Sequence, residues 1–204
     1  TGLIGKKLIF ELAKKNSEVI AVARKSISNL PKNASLLKIN FDDFLENGSL
    51  PSCDHIYICL GTTIKKAGSQ SEFKKVDFDY SLSFARKARE AGATKISLVS
   101  SVGANPYAKN FYLKTKGEIE EEIKKIDFQS INIFRPSLLL GRREESRFLE
   151  KIGQNLSSFI NLFLIGSLRK YRGIKSSNVA YCMANCEQSG GIKYFYFDDF
   201  NNNF

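Results

Sequence analysis

The sequence predicts an α/β protein built on a doubly wound parallel sheet. Short apolar runs alternate with stretches of helical periodicity, the pattern of buried parallel strands covered by helices. The chain opens on a two-glycine turn that leads directly into a helix. No internal repeat or linker divides the 204 residues, a length that suits one domain with a sizeable core.

The elements come in a regular order. Leu3, Ile4, Leu8, Ile9 and Leu12 recur at helical spacing and place a first helix over residues 3–15. Residues 19–23, 36–39 and 56–60 read as strands. Phe73, Val76, Tyr80, Phe84, Ala88 and Ala91 mark one long helix, stopped by Gly92. Residues 95–100 form another buried strand, 112–125 a helix and 130–134 a strand that Pro136 ends. Beyond Gly141 come a helix around 146–164, a helix starting near Ser177 and a strand over 192–197, with residues 198–204 expected to fray.

One element is missing from this order. A sheet of this kind begins with a buried central strand that runs into the glycine turn, whereas this sequence begins at the turn. Such a strand, Val/Ile-rich and ending in Gly-Ala, is expected ahead of Thr1.

Composition narrows the class. Hydrophobic residues make up 43% and charged residues 25%, which argues against disorder. No apolar run approaches the roughly 18 residues of a membrane helix. The first residues do not form a secretory signal, and a cytoplasmic location is expected. Cys53, Cys59, Cys182 and Cys186 show no CxxC spacing and His55 is the only histidine, so reduced thiols are expected and no metal centre. The net charge of +10 is spread among glutamates, as in residues 116–125, and aromatic residues are not gathered for stacking. Nucleic-acid binding is therefore not the reading. A general positive field does suit a polyphosphate ligand.

Three motifs carry chemistry. Thr1-Gly2-Leu3-Ile4-Gly5 reads as the latter part of a GxxGxxG loop, whose glycines let a pyrophosphate approach the backbone and the free N–H groups of a helix. About 20 residues after Gly2, a strand ends in Arg24-Lys25. An acidic residue there would hold the ribose 2′-hydroxyl of NAD, whereas a basic pair suits the 2′-phosphate of NADP. Tyr112-Leu113-Lys114-Thr115-Lys116 puts a phenol and an ammonium on one helix face, about a dozen residues after a strand that ends in Ser100-Ser101. Free tyrosine titrates at about pH 10, so a neighbouring cation is needed before it can exchange protons at neutral pH. A serine hydroxyl at the strand end can hold the same carbonyl oxygen.

With these residues in view, the chain resembles the atypical short-chain dehydrogenase/reductases with an NAD(P)-binding Rossmann domain, and within them the Tat-interacting oxidoreductase-like group. The resemblance runs through TGLIGKKL, CLGTTIKKAGS (59–69), VDFDY (76–80), SLVSSVGANP (97–106), NFYLKTKGEIE (110–120), IFRPSLLLGRRE (133–144) and SNVAYCMA (177–184). It implies that Leu60, Gly61, Thr62 and Thr63 line the cofactor. Asn40 and Phe41 would sit near the adenine, and Arg135, Pro136 and Ser137 near the nicotinamide. Ser101 is the first choice for the serine and Ser100 the reserve.

The expectation is thus a single NAD(P)-binding domain. Residues 1–140 form the cofactor core, and residues 141–204 form a small C-terminal lid that completes the substrate cleft. Thr1, Gly2, Leu3, Ile4, Gly5, Arg24, Lys25, Tyr112 and Lys116 contact the cofactor. The expected activity is NADP(H)-dependent hydride transfer to or from a small carbonyl or alcohol, with Tyr112 as acid, Lys116 anchoring the ribose and Ser101 orienting the carbonyl. Arg142, Arg143 and Arg147 could receive an anionic group, or form a solvated face with nearby glutamates. The alternative is a regulatory or interaction protein that uses NADPH occupancy to set its shape. A homodimer or a protein partner stays open.

Overall fold

The computed structural model describes residues 2–140, 166–186 and 190–201. Its first half comprises α1 (Leu3–Ala13), β1 (Val19–Ala23), β2 (Ala34–Lys38), α2 (Phe41–Asn47), β3 (His55–Ile58), α3 (Ile64–Ala67) and α4 (Gln70–Lys74). A π-helical turn over Lys75–Asp79 leads into α5 (Tyr80–Glu90). Next come β4 (Lys95–Val99), α6 (Phe111–Lys124), β5 (Ser130–Phe134), β6 (Leu139–Leu140), a 3-10 turn (Gly166–Tyr171), β7 (Ile174–Lys175), α7 (Ser176–Asn185), β8 (Gly191–Phe195) and α8 (Phe197–Asn201).

Among the described residues all strand pairs are parallel. β3, β4, β5 and β8 form a four-stranded sheet in that order, β1 pairs with β2, and β6 with β7. β5 is buried at every position and β4 at four of its five, as expected for central strands covered on both faces. Successive side chains alternate between two cores. Ile96, Leu98, Ile131 and Ile133 join Tyr80, Phe84, Ile119 and Ile123 of α5 and α6. Val99 and Phe134 face the other way, onto Leu8 of α1, Val179 and Met183 of α7 and Phe200 of α8. Helices thus cover both faces, the doubly wound arrangement that the alternating pattern predicts.

Among the described residues the sheet is interrupted between β1 and β3.

Two expectations are corrected. The single helix over residues 73–91 is broken, because the π turn inserts one residue into the hydrogen-bond ladder and rotates Asp77 inward. Gly92, at φ +101, stops the helix as expected. The tail is ordered through Asn201, since Phe200 is buried against Phe134. The helix expected around residues 146–164, together with Arg142, Arg143 and Arg147, lies outside the described residues.

Candidate active site

The site is built at the carboxyl ends of the parallel strands, from the turns after β3, β4 and β5 and the first turns of α1 and α6. The helix N-termini differ in a useful way. Asn40, Thr63, Ser69 and Asn110 each cap their own helix through a side-chain oxygen. Gly2 caps α1 with no side chain, and a Cβ at this position would meet nothing within 4 Å. The N–H groups of Leu3, Ile4 and Gly5 therefore receive no side-chain cap from Gly2, and a helix N-terminus of this kind stabilises an anion. Ile4 itself is buried, so any contact it makes with a ligand is through its backbone. Gly5 lies against the end of β3, with Cys59 beneath it. Thr1 is outside the described residues.

The basic pair after β1 divides. Arg24 lies over the Phe41 ring, 5.4 Å from its centroid. Lys25 turns toward a cavity of about 250 Å³ lined also by Lys6, Phe10, Ser26 and Ser28. Asn40 is occupied as the cap of α2, accepting from the Asp42 N–H at 2.9 Å. The Phe41 ring is 4% exposed and packs edge-on against Tyr80 and Phe84. Hydrogen bonds from Lys75 and Tyr80 hold the nearby Asp42 carboxyl below its ordinary range.

The YxxxK end of the candidate site is set by α6. Tyr112, Lys116 and Glu120 lie four residues apart, one above another on a single face. Lys116 is buried, with Nζ 2.7 Å from Asp77 Oδ1. That approach is an ion-pair contact and not a well-aligned hydrogen bond. Asp77 Oδ2 accepts the Thr62 N–H at 2.9 Å. A Cβ on Gly61 would fall 3.6 Å from Asp77 Oδ1 and 4.0 Å from Lys116 Nζ, so the ammonium lies beside the Gly61-Thr62 turn. Leu60 packs into the core below that turn, and Thr63 caps α3. Tyr112 is half-buried beside Phe73, at 5.6 Å between ring centroids. Its hydroxyl has no hydrogen-bond partner among the described residues.

The two serines are in different situations. Ser100 is buried and donates its hydroxyl to Glu120, whereas Ser101 is half-buried and makes only a long contact, 3.4 Å, to the Val102 carbonyl. Ser101 is therefore the less committed donor. Glu120 also pairs with Arg135, whose Nε lies at 3.0 Å. Burial opposes the charge on Arg135, but the hydrogen bonds and charge of Glu120 outweigh it and hold the guanidinium above its usual value. Pro136 is buried and its carbonyl accepts the Val102 N–H at 3.0 Å, while Ser137 donates to the Arg172 carbonyl.

The helix reaches this position because Gly117 lets it. A Cβ there would lie 2.2 Å from backbone atoms of Asn105 and Pro106. No side chain fits between α6 and the segment after the Ser101 turn.

Asp77 and Glu120 are functional candidates that no motif in the sequence singles out. Their signal is a carboxylate within an apolar stripe: Asp77 between Phe73 and Tyr80, and Glu120 beside Ile119 and Ile123. A charge placed there must find a buried partner.

No family model matches the chain. It is 31% identical to "Protein FMP52, mitochondrial" of Candida albicans, over 95% of this chain and 88% of that protein. It is 33% identical to "Protein HTATIP2" of Rattus norvegicus, over 72% of this chain and 63% of that protein. Among solved structures, the human epimerase family protein SDR39U1 with NADPH has a TM-score of 0.62 at 19% identity, covering 96% of this chain and 71% of that one. The oxidoreductase ylbE of Lactococcus lactis has a TM-score of 0.66 at 15% identity, covering 99% and 92%. These neighbours share the NAD(P)-binding oxidoreductase fold. The names of the fungal relatives overturn the cytoplasmic expectation, because lacking a secretory signal does not separate cytoplasm from mitochondrion. An uncapped glycine turn, a buried YxxxK lysine and a relative matched over nearly the whole chain agree: the chain belongs to the FMP52 and HTATIP2 family of atypical short-chain dehydrogenase/reductases.

Proposed function

We propose that this protein is an NADP(H)-dependent oxidoreductase acting on a small carbonyl or alcohol, with Tyr112, Lys116 and Ser101 as its catalytic residues. The observation that carries the reading is the YxxxK face of α6. It buries Lys116 against the Gly61-Thr62 turn and leaves the Tyr112 hydroxyl without a protein partner among the described residues.

The residues present fit a nicotinamide dinucleotide. The uncapped α1 N-terminus receives the pyrophosphate, Lys116 the nicotinamide ribose, and Arg24 and Lys25 a 2′-phosphate. When bound, the nicotinamide supplies or accepts the hydride. Tyr112 gives a proton to the carbonyl oxygen, or takes it back in the reverse direction. Ser101 donates a hydrogen bond to the same oxygen. By the names of the fungal relatives, we place the protein in mitochondria.

Titration with NADPH and NADH, then turnover of small aldehydes, ketones and quinones, tests the reading. Tyr112→Phe is expected to keep NADPH affinity and lose at least about a hundredfold in turnover. Turnover unchanged by Tyr112→Phe, or wild-type protein that binds neither nucleotide, overturns it. Tight NADPH binding without turnover of any carbonyl would point to a regulatory protein.

A further inference from the structure

We propose that Glu120 is a positioning residue of this site: its buried carboxylate anchors the Ser100-Ser101 turn and the Arg135-Ser137 turn to the helix that carries Tyr112 and Lys116. The inference rests on the oxidoreductase reading for its consequence, but its geometry is independent of that reading.

Glu120 is 1% exposed. A carboxylate removed from water this thoroughly is stable only when several donors converge on it. Here they come from two neighbouring strands. Ser100, just past the end of β4, donates its hydroxyl to Oε1. Arg135, just past the end of β5, reaches both oxygens, with Nε at 3.0 Å from Oε1. The same guanidinium donates to the Tyr196 hydroxyl at 3.0 Å and stacks over the Tyr194 ring, 4.5 Å from its centroid. Its backbone N–H is held by the Phe195 carbonyl at 2.8 Å. One carboxylate on α6 therefore ties together the ends of β4, β5 and β8.

The tie bears on catalysis through the residues just beyond each strand end. Ser101 comes directly after Ser100, and the Val102 N–H bonds to the Pro136 carbonyl at 3.0 Å, joining the two turns. Glu120 lies two helical turns from Tyr112 on the same face, so the distance between the Ser101 hydroxyl and the Tyr112 phenol depends on this anchor. Loosening it misaligns two groups that must meet one carbonyl oxygen, which lowers the rate of the chemical step more than it weakens nucleotide binding. Lys116 is secured separately, by Asp77 on the β3 side. The face thus has two independent fastenings, and only that of Glu120 holds the serine.

The test uses the whole protein and two variants. Glu120→Gln keeps the shape but removes the charge. Ser100→Ala cuts only the link to the turn and leaves the Glu120–Arg135 pair intact, so it remains informative if the first variant folds poorly. Amide hydrogen exchange at Val102 is expected to quicken about tenfold or more in both, while Ile96 and Leu98 within β4 stay protected. NADPH affinity should stay within about threefold and turnover of a small quinone fall about tenfold or more. Unchanged exchange at Val102 in both variants overturns the proposal. So does quickened exchange with full turnover, because the anchor would then be irrelevant to the reaction. Quickened exchange in a protein whose wild type turns over no carbonyl keeps Glu120 as the anchor of the turn and overturns the oxidoreductase reading instead.

Discussion

The centre of the sheet and its β1–β2 edge are built differently. β4 and β5 are covered on both faces, and the charges beside them are paired: buried Lys116 with buried Asp77, and buried Glu120 with the half-buried Arg135. The β1–β2 pair is only partly covered. β2 has no fully buried residue, Ile20 is 37% exposed, and Arg24 and Lys25 stand in solvent. Each setting suits a different use of charge. In the covered centre a charge is strong and costly, which suits the positioning of reacting groups proposed above. At the open edge a charge is screened and inexpensive, which suits the ligand selection proposed there.

Lys116 is where this contrast is most open to refutation. Lys116→Met leaves Asp77 buried without its cation, and should cost about 3–5 kcal/mol of stability. Denaturant unfolding measures this, and a loss below about 1 kcal/mol would show that the centre is not as dry as its packing suggests.

A second test lies at the start of β3. His55 is stacked on Tyr57, bonded to Ser97 Oγ at 3.0 Å and, through burial and then the charge of Lys95, has its pKa lowered to about 3. The unfolded chain takes up a proton near pH 6.5 that the folded protein refuses, so this group's contribution is intact above pH 6.5 and is lost as pH falls toward 3. The loss is expected to be about 4 kcal/mol by pH 3. His55→Gln, whose amide can still reach Ser97, should flatten that part of the stability profile. An unaltered profile would mean that the histidine is hydrated.

Gly117→Ala gives a smaller but sharper result. The added methyl must displace the Asn105-Pro106 backbone, at a cost of about 1–3 kcal/mol. Because that segment comes after the Ser101 turn, turnover should fall with it. Gly2→Ala, where nothing lies within 4 Å, should leave stability within about 0.5 kcal/mol of wild type.

The edge should respond least. Arg24→Ala and Lys25→Ala are each expected to weaken NADPH binding about tenfold at low salt, leave NADH almost unchanged, and barely alter stability. Equal losses for both nucleotides would remove the 2′-phosphate from the account of this edge.

Much of this architecture is readable in one dimension. Strand positions come from short apolar runs, and β1 and β5 lie where the pattern puts them. The glycine turn, the basic pair and YxxxK can be found because each is a local device: a backbone shape or a helical spacing that needs only its neighbours in sequence. The π turn is not readable. Phe73 to Ala91 satisfies helical periodicity throughout, and whether one extra residue bulges out is decided by where Asp77 finds Lys116. The choice between Ser100 and Ser101 is not readable from the residues alone, since the two are adjacent and chemically identical; only the family resemblance ranks Ser101 first.

The order of amino acids is enough to set the fold class and to name the candidate groups at the strand ends. Which of those groups are free is settled in three dimensions. Pairing depends on distances between residues far apart in sequence: Asp77 takes up Lys116, Glu120 takes up Ser100 and Arg135, and Phe41 turns into the core. Burial makes these pairings compulsory, because a charge without water must find a counter-charge, and no local pattern of residues says which one it will meet.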